Sequence, residues 1–247
     1  MNVDAALNKS GSFILSQMGF VRDRGDEPRP PGPGVTISQR AGSGAHTIAE
    51  HVAEMLQKFE RREAEPWRVF DRQLVEQALE EHHLPKRLAR YMPEDRQGYI
   101  EDVVEEVLGL RPPSWILVPQ VVETIQHLLK AGHVIVVGRA AAAIASDMEG
   151  IFHVRLVASL NRRIERVQRL GNLTRSEAIR FIEVEDRGSR RYARAHFHAN
   201  IEDEMLYHLI INTDRISYPD AARLIVDEAR RCFEKARQLH LEGRQQG

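Results

Sequence analysis

One glycine-rich turn and two arginine-rich segments are candidates in this chain for handling anionic groups. Between residues 35 and 56 a β-branched run, Val35-Thr36-Ile37, stops at Ser38, and a small-residue turn follows at Gly42-Ser43-Gly44-Ala45. Thr47, Ile48, Val52, Met55 and Leu56 then recur at helical spacing. Strand, tight turn and helix in that order make an anion cradle. Glycines accept positive φ, backbone amides approach closely, and a helix N-terminus presents unpaired N–H groups with partial positive charge. The phosphate-binding pattern G-x-x-x-x-G-K-[ST] would put a lysine after the last glycine, and Ala45 stands there. That lysine acts where charge shifts during phosphoryl transfer, so its absence bears on transfer more than on holding a phosphate. Arg40, His46 or an arginine from another segment is expected to supply the charge. A plain strand–helix turn is the alternative reading of this stretch alone.

Arg139 follows the apolar run Val134–Val137 and suits bidentate recognition of a phosphate; a surface ion pair is the alternative. Asp71 and Arg72 follow Trp67–Phe70. Asp71 can accept from a sugar hydroxyl or a base, order the water shell of a metal, or cap a helix beginning at Gln73. Arg72 can take a phosphate or brace the loop. Arg163 and Arg166 are three apart and share a helix face, while Arg187, Arg190, Arg191 and Arg194 follow on a second segment. Such runs form either a solvated face or a mobile lid that closes on phosphates and excludes water. The histidine pairs in Glu81-His82-His83 and His196-Phe197-His198 lack a third ligand at metal spacing.

These residues need a frame. Strands are expected at Val35–Ser38, Trp67–Phe70, Val134–Val137, Val154–Ala158 and Leu209–Asn212. Helices are expected over 48–59, 73–81, 99–108, 121–130, 162–170, 175–190 and 218–241. Apolar strands alternating with helices imply an α/β fold, a five-stranded parallel sheet flanked by helices. Ligands in such sheets bind beyond the carboxyl ends of the strands. Each candidate group follows a strand, including Ala158-Ser159 and Asn212-Thr213-Asp214.

The 247 residues suffice for one domain and a tail, with 42% hydrophobic and 29% charged residues and a net charge of −1. Near-neutrality argues against a nucleic-acid binder working through bulk charge, and the aromatics interleaved with the basic run are few, Tyr192 and Phe197. One cysteine, Cys232, excludes an internal disulfide framework and fits a reducing cytoplasm. No apolar run reaches the roughly 18 residues of a spanning helix. Residues 1–34 read as a flexible tail, with docking through Phe13, Ile14, Leu15 and Phe20 as the alternative. Residues 35–247 read as the folded domain, the lid lying at about 162–200.

Four segments together resemble the cytidylate kinase-like family, relatives of the cytidylate kinases among P-loop nucleoside monophosphate kinases. ISQRAGSGAHTIA is similar to the family's I-S-R-E-[YF]-G-S-G-G-R-x-I, VFDRQLV to its Y-D-R-E-L, and VIVVGRAAAAI to its V-I-V-G-R-G-A-N. HVRLVASLNRRIERV, NLTRSEAIRFIEVEDRGSRRY and YHLIINTDRIS are similar to its fourth strand, lid and fifth strand. The resemblance covers about residues 35 to 230. It implies a P-loop kinase fold with an arginine-rich helical lid, transferring a phosphoryl group from ATP, with Mg2+, to a nucleoside monophosphate or similar small acceptor. It assigns Arg40, Gly42, Ser43, Gly44, Ala45, His46 and Thr47 to the donor phosphates, Thr47 also to magnesium. Asp71, Arg72, Arg139 and Asp186 fall to the acceptor side, and Arg139, Arg163, Arg166 and Arg190 to catalysis. Gln39 stands where the family prefers Arg, His46 replaces an Arg, and the Gly-Ala-Asn after Gly-Arg is absent. A nucleotide-binding regulatory module without useful catalysis is the other function kept open, and the oligomeric state is left open.

Overall fold

A computed structural model describes residues 32–60, 65–71, 118–138 and 140–245. The expected tail up to residue 31, the helices expected over 73–81 and 99–108, His82, His83, Arg72 and Arg139 lie outside the described residues. The first described residues are already tied to the sheet: Gly32 N donates to Lys130 O, and His133 N donates to Pro33 O.

Five strands, β1 (Gly34–Gln39), β2 (Arg68–Phe70), β3 (Val134–Val137), β4 (Ile151–Val157) and β5 (Leu209–Asn212), form one parallel sheet in the order β2-β3-β1-β4-β5. The helices are α1 (Ala45–Gln57), α2 (Val118–Ala131), the short α3 (Ala141–Ile144), α4 (Leu160–Gly171), α5 (Arg175–Phe197) and α6 (Tyr218–Gln245). The sheet reverses direction of progress around the central β1, so the turn after β1 lies at the switch point where open α/β sheets bind ligands.

Side-chain alternation divides the core. Val35, Ile37, Ile135, Val137, Val154 and Leu156 point to one face and pack with Ile48, Val52 and Leu56 of α1 and Ile225 and Val226 of α6. Val134, Val136 and Phe70 point to the other and pack with Ile125, Leu128 and Leu129 of α2. Each such fully buried aliphatic side chain contributes about 2 kcal/mol. The 48-52-56 spacing of α1 is the single apolar stripe that burial on one side requires.

Several boundaries differ from the periodicity. α1 starts at Ala45 rather than 48, because its first turn is defined by the preceding glycines and not by apolar spacing. β4 starts at Ile151, ahead of the expected Val154, since Phe152 and His153 pair with Val35 and Thr36. α5 runs on past the expected end to Phe197, and Ala193 in this added stretch is buried. The alanine run after Gly138 yields α3, entered through Ala140 in the left-handed region at φ 54°. α4 and α5 form a hairpin with an apolar core of its own, Ile164, Val167, Ala178, Phe181 and Ile182. Asn172, left-handed at φ 49°, ends α4, and a capping box between Thr174 and Glu177 begins α5.

Candidate active site

The turn between β1 and α1 has the backbone the sequence leads one to expect. Gly42 and Gly44 sit at φ 82° and 94°. A Cβ on Gly44 would lie 2.6 Å from Cζ of Tyr218, and one on Gly42 would lie 3.0 Å from the Arg163 carbonyl. Both glycines are therefore fixed by conformation and by close approach. Ser43 is buried. Its Oγ donates to Arg40 O at 2.7 Å, and its carbonyl accepts from Thr213 Oγ1 at 3.1 Å, tying the turn to the end of β5. Gly44 is the N-cap of α1, and no side chain caps that helix. The first-turn amides are thus left for an anion. The methyl of Ala45, where a lysine would stand, is packed into the core with Ile48 and Val52.

The lid hairpin supplies arginines with different partners. Arg163 is buried and bonds Asp186 at 2.7 Å; Asp186 also accepts from Ala41 N at 2.8 Å, and Arg163 donates to Ala41 O at 3.2 Å. This pair braces the turn from the lid side. Arg166 reaches past it: Nη2 donates to Thr47 Oγ1 at 2.9 Å, Nη1 donates to the Tyr218 hydroxyl at 3.0 Å, and the guanidinium lies 4.8 Å from the Tyr218 ring centroid. Thr47 Oγ1, assigned to magnesium by resemblance, thus already accepts from a guanidinium. Arg40 and Arg190 share one carboxylate, Glu202, at 3.4 and 3.7 Å.

On the opposite side, His46 joins the start of α1 to the end of β2. Its Nδ1 lies 3.6 Å from Asp71 Oδ2 and its Nε2 lies 3.3 Å from Glu50 Oε1. Gly138, at φ 78° past β3, has open space where a Cβ would be. The structure therefore gathers Arg40, Gly42, Ser43, Gly44, Ala45, His46, Thr47, Asp71, Arg163, Arg166, Asp186 and Arg190 around one turn, with Arg72 and Arg139 outside the described residues. Among the described residues no cluster of three His, Cys, Asp or Glu side chains could hold a metal. A magnesium ion carried in on phosphates needs only one or two protein oxygens, and Thr47 Oγ1, held here by Arg166, is an oxygen of that kind.

Four residues escaped the sequence reading: Tyr218, Glu202, Tyr207 and Arg155. Tyr218 opens the helix after β5, a place legible from the strand-end rule. Asp214 Oδ2 accepts from Ser159 N at 3.0 Å, and hydrogen bonding to Ser159, its hydroxyl foremost, holds the Asp214 carboxyl below its ordinary range. This links the start of α4 to the loop after β5. The strand H-V-R-L-V carried the signal for Arg155: His153 and Arg155 alternate with Val and Leu, so one face of β4 is polar.

The profile of the cytidylate kinase-like family matches residues 34–215. A protein of Eubacterium ventriosum described as uncharacterized has a solved structure 16% identical in sequence, with a TM-score of 0.57, covering 80% of this chain and 97% of that one. The APS kinase of Mycobacterium tuberculosis, solved with AMPPNP and APS, is 16% identical at a TM-score of 0.40, covering 81% and 98%. A uronate isomerase of Corynebacterium glutamicum is 29% identical over 99 residues, 40% of this chain; the match spans 19% of that protein's length.

Proposed function

The chain belongs to the cytidylate kinase-like family, and from that premise we propose that it is an ATP-dependent phosphotransferase acting in the cytoplasm on a nucleoside monophosphate or similar small acceptor. The observation that carries the reading is the uncapped start of α1, framed by Gly42 and Gly44 and crossed by Arg166. Phosphoryl transfer asks mainly for positioning and for offset of developing charge. In this reading the amides after Gly44 hold the donor phosphates. Arg166, released from Thr47, lies along them in place of the missing lysine. Arg163 and Asp186 keep the turn in shape. Asp71 orients the acceptor, together with Arg72 and Arg139, and His46 faces the donor phosphates. Magnesium, bound with the nucleotide, neutralises phosphate charge.

One observation favours a second reading, a nucleotide-binding regulatory module. Asp186 occupies the Ala41 amide, and Ala45 is sealed in the core, so the turn is stable without the groups that speed transfer. The test is a coupled assay for ADP release with ATP and magnesium across nucleoside monophosphates and nucleosides. Acceptor-dependent release lost in Arg166→Ala supports the enzyme. ATP binding by calorimetry with no release for any acceptor supports the module.

A further inference from the structure

The β1–β4 pair carries polar side chains on one face, where a covered parallel sheet ordinarily carries aliphatic ones. Thr36 stands opposite His153, and Ser38 opposite Arg155. Thr36 and His153 satisfy each other at 2.7 Å. Arg155 does not find an equal. It is only 5% exposed, and its Nη1 donates to Ser38 Oγ at 3.0 Å and to the Tyr207 hydroxyl at 3.3 Å, both neutral. Among the described residues no carboxylate lies within ion-pair distance of it. A guanidinium buried without a counter-charge is costly, and an anion that arrives there recovers the cost.

Arg155 lines a cleft at the carboxyl ends of β1 and β4, together with Arg40, Asp186, Ser189, Arg190 and Glu202. None of the residues from Gly42 to Thr47 lines it. Asp186 is already engaged by Arg163 and Ala41 N. The remaining carboxylate, Glu202, is divided between Arg40 and Arg190. Arg40, Arg155, Arg163 and Arg190 together outweigh Asp186 and Glu202 by two positive charges.

We propose that this cleft is a binding site for a phosphate dianion, with Arg155 as its floor, Arg40 and Arg190 as its walls, and Glu202 as an internal anion that the ligand displaces. A tetrahedral dianion matches the charge excess and offers several oxygens to guanidinium forks. The dianion is either free phosphate or the phosphoryl group of a phosphomonoester.

The test is calorimetric titration of the full chain with inorganic phosphate and, separately, with glycerol phosphate. Removing a charged donor should weaken phosphate binding about tenfold or more in Arg40→Gln and in Arg190→Gln, both half-exposed positions. Glu202→Gln should tighten it, because the competing carboxylate loses its charge. Arg155→Met should abolish it and raise the melting temperature of the ligand-free protein. Tighter binding of glycerol phosphate assigns the site to a phosphomonoester, and tighter binding of phosphate assigns it to the free ion. The proposal is overturned if the chain binds neither probe, or if Glu202→Gln, Arg40→Gln and Arg190→Gln leave binding unchanged. Neither titration requires turnover, so this site and the phosphotransfer reading fail separately.

Discussion

Arg166 holds Thr47 from the lid: one arm of its guanidinium donates to Thr47 Oγ1 at 2.9 Å while the other donates to the Tyr218 hydroxyl at 3.0 Å. A permanent cation is thereby stationed at the first turn of α1, in a loop that has no lysine. The Tyr218 ring beneath it fixes its approach, and that ring fits only because residue 44 has no side chain.

If Arg166 supplies the charge that offsets phosphoryl transfer, Arg166→Ala should lower turnover about 10²-fold, the scale of removing one preorganised electrostatic donor. The residue is half-buried and sits at the rim of the fold, so stability should change by no more than about 1 kcal/mol. Rates of ADP release and urea midpoints, measured on the same preparation, check both statements. Unaltered turnover at unaltered stability would remove Arg166 from the chemistry.

Gly44→Ala should destabilise the domain and impair nucleotide binding together. A left-handed backbone costs an L-residue about 1–2 kcal/mol, and the added Cβ would stand 2.6 Å from Tyr218. Adding Tyr218→Ala to the same chain should recover the steric part and leave the backbone part. A double-mutant cycle in urea separates them; additive losses would show that Tyr218 does not bear on the turn.

The frame was legible because it is written in simple periods. All five strands follow from short β-branched or apolar runs, the strand-end rule marks the turn after β1, and the arginines of the lid stand out as basic runs. Partner choice was not legible. Arg163 and Arg166 share a helix face in the sequence and read alike, yet three residues of helix rotate one into a buried pair with Asp186 and the other onto Thr47. Arg155 was passed over because a strand in a covered sheet is expected to be apolar; the alternation His153-Val154-Arg155-Leu156 records a face that closes on polar groups. Glu202 and Tyr207 lie in a loop with no period at all, and only tertiary packing brings them to the site.

The Arg163–Asp186 pair should be a main support of the turn. Its side chains are 7% and 15% exposed, and breaking a buried pair leaves an uncompensated charge at a cost of about 3 kcal/mol or more. Asp186→Asn keeps an acceptor for Ala41 N but loses the charge and the second oxygen, to which Arg163 Nη1 donates. Asp186→Ala loses the Ala41 acceptor as well, and should be worse by about 1 kcal/mol, one hydrogen bond. Denaturant unfolding of the two variants decides this. Equal midpoints would mean that the Ala41 bond contributes nothing.

Stability should also fall in mild acid, through His153. This imidazole is buried in β4, bonded to Thr36 and stacked at 5.1 Å on His208. Burial first, and the neighbouring His208 second, push its pKa down to about 4. In the unfolded chain it returns to about 6.5, so between those values the unfolded state takes up a proton that the folded state refuses. Its contribution is therefore complete above about pH 6.5, declines as the pH drops toward 4, and changes no further below that. The shift corresponds to about 3 kcal/mol across the window. His153→Asn, which cannot be protonated there, should flatten that slope when urea midpoints are compared at pH 7 and pH 4.5. A slope identical in the variant would assign the acid sensitivity to other groups.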